Sequence, residues 1–289
     1  MIKGWLLRRI LFNSENETRT ARASAKRKNC YMTELSHAAL SEIAERLDTA
    51  AVTARAVPQL AEPLTLADAY RVQSMSMERR YARGERRLGI KMGFTSRAKM
   101  IQMGIDDMIW GRLTTAMALE EGAEVDCARY VHPRVEPEIA FLLRRDVTGP
   151  VSLMEAQAAV EAVAPGLELI DSRYQNFKFS LTDVIADNSS SSGFMLGGWT
   201  SPKTNISNLG MILEADGDIK EVGSSAAILG NPWRSLVAAI RLATEAGEPL
   251  RAGDLVMAGG ATAAIPLATA RLVRLEVHGL GRVDMRVKS

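Results

Sequence analysis

The stretch HPRVEPEIAFLL, from His132 to Leu143, is the part of the sequence that decides the fold prediction. It ends in a run of apolar residues typical of a buried strand, and its centre holds Glu136 and Glu138. Because residues two apart in a strand point to the same face, the two carboxylates are expected side by side. A divalent cation with oxygen ligands would relieve their repulsion. The pair alone fits a solvated edge strand equally well, so both interpretations stay open at this point.

The sequence around this stretch predicts many strands and few helices. From Trp110 onward, short apolar runs alternate with turns that contain glycine, proline and aspartate, a pattern typical of a β-rich barrel or roll. We therefore predict the α+β class, with a β-rich roll or barrel and a small helical region near the N-terminus. Helical patterns are found in four segments: 32–50, 64–84, 152–164 and 231–248.

Composition and charge divide the chain into three predicted segments. The chain is 47% hydrophobic and 24% charged with a net charge of +2, which is ordinary for a soluble globular protein. Residues 1–31 hold eight lysines and arginines against two glutamates, a net charge of +6, which leaves −4 on the rest of the chain. We predict a disordered basic extension at 1–31, a helical region at 32–110 and a catalytic domain at 111–289.

The charge distribution and hydropathy exclude several classes of protein. A slightly acidic body does not suggest nucleic-acid binding, and no apolar run approaches the roughly 20 residues of a membrane-spanning helix. The two cysteines, Cys30 and Cys127, have no metal or redox spacing, so we expect a cytoplasmic protein. The basic extension has the arginines and serines of a transit peptide, but we favour an extension that precedes a true start at Met32.

Other segments also hold residues suited to chemistry. Lys91 lies between two glycines in a strand-like run. Two interpretations are open: an ordinary surface lysine, or an inward-facing lysine with an anionic partner. Glu168 is a third acid in an apolar strand context. The segment 171–192 is either an exposed polar loop or a half-buried loop that binds a ligand. The small-residue turn at 259–264 lets backbone N–H groups approach an anion.

Several ordered motifs, which together span nearly all of the chain after residue 35, resemble one known family. They are similar to the hydratase/decarboxylase branch of the fumarylacetoacetate hydrolase superfamily, whose members act late in the meta-cleavage degradation of aromatic compounds. The motifs that carry this resemblance are KMGFTS at 91–96, HPRVEPEI at 132–139, ELIDSRYQNFKF at 168–179, ADNSSS at 186–191, LGNP at 229–232 and GGATAAIP at 259–266.

The resemblance implies a fumarylacetoacetase-like fold and a bound Mg²⁺ or Mn²⁺. By motif matching, it assigns the metal ligands to three glutamates, catalytic roles to three further residues and substrate contacts to two more. The metal ligands would be Glu136, Glu138 and Glu168, the catalytic residues Lys91, Asp187 and Ser190, and the substrate-binding residues Arg173 and Thr262.

The resemblance also implies a substrate, a 2-oxo dicarboxylic acid. The residues of these motifs favour decarboxylation of 2-oxo-3-hexenedioate (4-oxalocrotonate) to 2-hydroxypenta-2,4-dienoate and CO₂. Hydration of that dienoate is the alternative, and a non-catalytic subunit that stabilises a hydratase is a third. A homo-oligomer and a complex with the hydratase are the partners expected.

One position departs from the family pattern. Gly193 stands where decarboxylases of this branch carry an arginine just after the serine run, which leaves open how a second substrate carboxylate is recognised. Arg173, Lys178 and Arg97 are the candidates that could replace that arginine.

Overall fold

The computed structural model describes residues 35–96, 100–101 and 107–288. Every feature below belongs to the compact unit Ser36–Ser289. The predictions made for residues 1–31, and the candidate Arg97, lie outside the described residues.

Two helices form the N-terminal part of this unit and confirm the predicted helical region. Helix α1 spans His37–Thr53 and begins at Ser36, whose side chain accepts a hydrogen bond from the Ala39 N–H. Helix α2 spans Leu66–Ala82 and begins at Thr65, whose hydroxyl accepts the Asp68 N–H at 3.0 Å. Both caps satisfy backbone donors that the first turn of a helix leaves unpaired.

A mixed sheet of eight strands holds the motif-bearing segments. The strands are β1 (Arg87–Gly93), β2 (Ile109–Thr114), β3 (Ala118–Leu119), β5 (Arg134–Leu143), β6 (Val160–Ile170), β7 (Ser191–Leu196), β10 (Leu255–Met257) and β11 (Ile265–Pro266). Their order in the sheet is β2-β1-β10-β5-β6-β7-β3, and β11 pairs with β5. The two longest strands, β5 and β6, are antiparallel neighbours in the middle of the sheet.

A second sheet of five strands packs against the first. In sheet order these strands begin at Glu124, Gly281, Leu272, Gly210 and Asp218. The main core includes alternate residues of β5, among them Ile139 and Phe141, together with Leu213 and Leu275 from the second sheet. The other face of β5 carries Glu136 and Glu138, because side chains alternate along a strand. The strands of this sheet are β4 (Glu124–Asp126), β8 (Gly210–Ala215), β9 (Asp218–Ser224), β12 (Leu272–Val277) and β13 (Gly281–Lys288).

Three further helices complete the described fold. Helix α5 agrees with the prediction, since Asn231 is its N-cap and Pro232 its first residue. The helix predicted over 152–164 is wrong in its second half: it ends at Ala158, and β6 begins at Val160. The helices are α3 (Leu153–Ala158), α4 (Leu181–Ala186) and α5 (Pro232–Glu245), and the 3₁₀ turns are Cys127–Arg129, Gln175–Phe177, Asn188–Ser190 and Ser225–Ala227.

The physical reason for this correction is the pairing of β6 with β5. The ladder runs from Val160 opposite Leu143 to Ile170 opposite Arg134, and these hydrogen bonds outweigh the helix propensity of the alanines. None of the helices in the described part of the chain is long and apolar enough to span a lipid bilayer.

Strand β1 connects the N-terminal segment with the sheet. It pairs in parallel with β10 and antiparallel with β2, so the sheet begins at Arg87, before the predicted boundary at residue 110. The division of the chain into a helical region and a catalytic domain stays a prediction.

Candidate metal centre and active site

Strands β5 and β6 bring three glutamates together on one face. Glu136 lies directly opposite Glu168 in the antiparallel ladder, and Glu138 follows two residues along the same face of β5. One carboxylate oxygen from each lies within 4.8 Å of the others. Glu136 is 9% exposed, and Glu138 and Glu168 are fully buried. This arrangement excludes the solvated edge strand and leaves a buried cluster that needs a cation.

Lys91 supplies one positive charge to the cluster. Its Nζ donates to Glu168 Oε2 at 3.0 Å, and the side chain is 4% exposed. The lysine reaches the acids across the sheet, because it lies beside Met257 of β10, which in turn lies beside Ala140 of β5. The inward orientation of Lys91, one of the two interpretations of the sequence, is therefore the observed one.

Burial and mutual repulsion control the ionisation of the cluster. Burial, followed by the charges of Glu168 and Glu136, raises the pKa of Glu138 well above its usual value. Burial also raises the pKa of Glu168, although the charge of Lys91 opposes this shift. Burial alone would lower the pKa of Lys91, but the three carboxylates together raise it. Lys91 is therefore charged, and further positive charge beside Glu138 and Glu168 would stabilise their ionised forms.

The turn after β10 closes over the carboxylates. The Gly259 N–H donates to Glu138 Oε2 at 2.8 Å, and Gly259 has a φ of +100°, which an L side chain rarely adopts. A Cβ on Gly260 would lie 2.4 Å from Glu136 Oε2. The sequence predicted that this turn approaches an anion, and the anion that it contacts is the Glu138 carboxylate.

The residues present fit a divalent metal ion. Two carboxylate oxygens, Glu138 Oε1 and Glu168 Oε1, are buried and have no hydrogen-bond partner within the described structure. Ligand oxygens on opposite sides of one divalent cation lie about 4 to 5 Å apart, which matches the spacing of the cluster. Carboxylate oxygens are the ligands that Mg²⁺ and Mn²⁺ prefer, so Glu136, Glu138 and Glu168 could hold either ion.

A cavity of about 300 Å³ opens beside the cluster. Lys91, Glu136 and Gly260 line its polar end. The predicted catalytic residue Ser190 also lines it, and the Ser190 hydroxyl is buried without a hydrogen-bond partner in the described structure. The rest of the wall is largely apolar, and its larger apolar residues are Phe94, Ile109, Ile170, Phe177, Phe179 and Val184.

The structure places Arg173 and Asp187 outside this cavity. The Arg173 guanidinium forms an ion pair with the Asp187 carboxylate, and the Arg173 N–H donates to Asp187 Oδ2 at 2.9 Å. Both residues line a separate cavity of about 430 Å³ that contains none of the three glutamates. Burial raises the pKa of Asp187 to about 6, although the charge of Arg173 opposes the shift. We assign the chemistry to the smaller cavity, because Glu136 and Lys91 of the cluster line it.

Two other candidates also lie away from the cavity wall. The Thr262 hydroxyl donates to the Ala263 carbonyl at 3.0 Å, and Thr262 does not line the cavity, although Gly260 and Ala263 do. Lys178 is exposed and does not line the cavity either. The roles of Arg173, Asp187 and Thr262 toward the substrate stay predictions.

Gly193 faces away from the carboxylates. It pairs with Leu169, whereas Phe194 pairs with Glu168, so Gly193 and Glu168 lie on opposite faces of the sheet. A Cβ at Gly193 would contact Leu169 Cδ2 at 3.3 Å and Leu119 Cδ1 at 3.5 Å. A side chain at this position would therefore start in the apolar packing and not in the cavity.

Arg134 lines the cavity, although it is not among the site residues predicted from the sequence. It precedes Glu136 by two residues on β5, so it lies on the same face. This alternation is the signal that could have identified it. Its guanidinium carbon lies 4.2 Å from the centre of the Phe177 ring.

Comparisons with known proteins agree with this geometry. The chain is 58% identical over 247 residues to a 4-oxalocrotonate decarboxylase of a Pseudomonas species, a match that covers 85% of this chain and 96% of the relative. It is 33% identical over 225 residues to a 2-keto-4-pentenoate hydratase of Paraburkholderia xenovorans, which covers 77% of this chain and 84% of that one.

A solved structure with the same fold is the 4-oxalocrotonate decarboxylase of Pseudomonas putida G7, described as complexed with magnesium and adipate. It superposes with a TM-score of 0.85 at 37% identity, over 88% of this chain and 99% of that one. The model of the fumarylacetoacetate (FAA) hydrolase C-terminal domain matches residues 95–288, more than half of the 289 residues, and that range contains all three glutamates. The chain therefore belongs to the fumarylacetoacetate hydrolase family, as the motifs predicted.

Proposed function

We propose that this protein is a metal-dependent carboxy-lyase that converts 2-oxo-3-hexenedioate to 2-hydroxypenta-2,4-dienoate and CO₂. The observation that carries the proposal is the buried cluster of Glu136, Glu138 and Glu168 beside Lys91, with two carboxylate oxygens left without partners. The relative that is 58% identical is a 4-oxalocrotonate decarboxylase, and the match covers nearly all of its length.

The three glutamates would hold Mg²⁺ or Mn²⁺ at the polar end of the cavity. When bound, such an ion supplies a Lewis acid that withdraws electron density from the 2-oxo group of the substrate. Decarboxylation breaks the bond to the far carboxylate, and its electron pair moves through the conjugated system toward the 2-oxo oxygen. The product then needs one proton, and Lys91 Nζ, charged and lining the same cavity, is the donor that we assign.

The apolar wall favours decarboxylation over hydration. Aromatic and aliphatic side chains, including Phe94, Phe177 and Phe179, surround the space beside the cluster. Such a wall limits access of the water molecule that a hydratase must add to its substrate. The metal ligands themselves serve both reactions and do not distinguish them.

The deciding experiment incubates the purified chain with 2-oxo-3-hexenedioate and Mg²⁺ and measures CO₂ release. The proposal is supported if the wild type releases CO₂ and the Glu136→Gln, Glu138→Gln double variant does not, while the double variant keeps its fold. Water addition to 2-hydroxypenta-2,4-dienoate without CO₂ release would identify a hydratase. A chain that is inactive alone but raises the activity of an added hydratase would be a stabilising subunit.

We also propose that the enzyme works in the cytoplasm as a homo-oligomer, in complex with a hydratase that consumes its product. The chemical reason is that the dienol product is unstable, so direct transfer to the next enzyme limits its loss. Analytical ultracentrifugation of the chain, alone and mixed with the hydratase, tests both assemblies.

A further inference from the structure

A row of three side chains on β5 leads from the metal centre toward solvent. Glu138 is fully buried, Glu136 is 9% exposed, and Arg134 is half-buried. All three lie on one face of the strand, since they are two residues apart. The row therefore runs from a fully buried residue to a half-buried one, with the acids at the buried end and a cation at the more exposed end.

Within the described part of the chain, the Arg134 guanidinium has no anionic partner. It forms no hydrogen bond or ion pair with any of these residues, and its central carbon lies 4.2 Å from the centre of the Phe177 ring. Within the described part of the chain, Lys91 and Arg134 are the two cations that line the cavity. Because Lys91 pairs with Glu168 at 3.0 Å, Arg134 is the one with its hydrogen-bonding capacity unused.

The proposed substrate is a 2-oxo dicarboxylic acid, so each substrate molecule has two carboxylates. The 2-oxo acid end is directed to the metal ligands, so the second carboxylate needs another binding group. We propose that Arg134 binds this second carboxylate and so makes the site selective for 2-oxo dicarboxylic acids over 2-oxo monocarboxylic acids. This inference rests on the proposed function and concerns the opposite end of the same substrate.

The spacing of the row matches such a ligand. Two residues along a strand span about 6.6 Å. The end carbons of an extended six-carbon diacid are roughly 6 Å apart, for five bonds of about 1.5 Å each. Stacking on Phe177 holds the guanidinium plane while leaving its N–H groups free, and a carboxylate accepts two of them in parallel.

The other candidate arginine positions do not offer this contact. Arg173 is occupied by Asp187 and by Ser192 Oγ at 2.6 Å, and it lines the separate cavity. Position 193, where the family resemblance places an arginine, lies on the opposite face of the sheet from Glu168. Of the described residues, Arg134 is the one whose position and free donors suit the second carboxylate.

The test is calorimetric titration of the Mg²⁺-loaded protein with adipate, which has two carboxylates, and with hexanoate, which has one. In Arg134→Gln we expect adipate to bind about 10- to 100-fold more weakly and hexanoate to bind as in the wild type. Arg129→Gln is the matched control, because Arg129 is exposed and lines the separate cavity. Its affinity for both acids should be unchanged.

Equal weakening of both acids, or of neither, would overturn the inference, because Arg134 would then contact the metal-bound end or no ligand. If Arg134→Gln does not fold, Arg134→Met keeps the stem that packs on Phe177 and carries the same expectation. Since binding is measured without turnover, the result is independent of CO₂ release. Selective adipate binding by a chain that releases no CO₂ would reject the proposed function and retain the role of Arg134.

Discussion

Lys91 Nζ lies 3.0 Å from Glu168 Oε2, in a pair whose side chains are 4% and 0% exposed. A buried ion pair of this kind costs desolvation energy that its attraction only partly returns, so it is weak evidence for a stabilising role. The lysine also lines the cavity, where it can transfer a proton to the reacting molecule.

We predict that Lys91→Met lowers kcat for CO₂ release by about 10²- to 10⁴-fold, the range typical of a lost general acid. Magnesium binding should persist, because the three carboxylates remain, and calorimetry checks this separately from turnover. Lys220→Met is the control, since Lys220 is exposed and pairs with Asp218 on the second sheet. Wild-type kcat in Lys91→Met would exclude the lysine as the proton donor.

Metal binding should stabilise the fold. The cluster of Glu136, Glu138 and Glu168 is buried, and Lys91 is the one cation paired with it among the described residues, so a divalent cation binds the folded state in preference to the unfolded one. At 100 times its Kd, Mg²⁺ should add about 2.7 kcal/mol to the free energy of unfolding. For a chain of this length that is roughly 4 to 5 °C in Tm, measured by differential scanning calorimetry.

The same experiment on Glu168→Gln distinguishes site binding from a general salt effect. The variant loses one ligand, so its Tm should rise much less with Mg²⁺ than that of the wild type. An equal rise in both proteins would mean that the ion acts somewhere other than the glutamate cluster.

A substitution in the Gly259–Gly260 turn tests the site without replacing any of the three glutamates. In Gly260→Ala the added Cβ would lie 2.4 Å from Glu136 Oε2, so the Glu136 side chain must move. We expect Mg²⁺ affinity to fall about 10- to 100-fold, as for other changes to groups that position metal ligands. Gly198→Ala, where a Cβ has no atom within 4 Å, should leave the affinity unchanged. Equal Kd values for the two variants would contradict the close contact.

Asp187 gives a pH dependence of stability. Burial raises the pKa of Asp187 from 3.8 to about 6 in the folded state, so the folded protein binds more protons than the unfolded one between these values. Stability contributed by this group is therefore present at low pH and is lost as the pH rises from about 4 to about 6, by about 3 kcal/mol at most. Above the folded pKa the contribution is constant.

Urea unfolding of the wild type and Asp187→Asn at pH 4, 5, 6 and 7 isolates this contribution. Loss of the Arg173 partner gives a constant offset, because that arginine stays charged over the whole range. The free energy of unfolding of the wild type relative to the variant should fall between pH 4 and pH 6 and then level. A difference that rises over the same interval would mean that Arg173 holds the pKa below its ordinary value.

Part of the glutamate cluster could be predicted from the sequence, because its geometry follows from local rules. Alternation along β5 places Glu136 and Glu138 on one face from their spacing alone. It could not place Glu168 opposite Glu136, because the register between two strands depends on pairing across the whole sheet. The family resemblance supplied that third ligand.

Tertiary context determines the features that the sequence alone could not show. The segment 152–164 has alanines and a capping box that favour a helix, yet pairing with β5 converts its second half into strand. Arg173 is polar and close in sequence to Glu168, but its pairing with Asp187 is a long-range contact that spacing does not reveal. Arg134 was within reach of the same alternation rule that identified Glu136.

The two central strands that carry all three acids also make the metal a reporter of folding. Sliding β6 by one residue against β5 would turn Glu168 into the apolar core and place Leu167 or Leu169 beside Glu136. A chain with that misalignment could keep its secondary structure and compactness and still have no high-affinity site. The stoichiometry of bound Mg²⁺ in a refolded sample therefore counts the molecules whose central strands are correctly aligned, which circular dichroism would not distinguish.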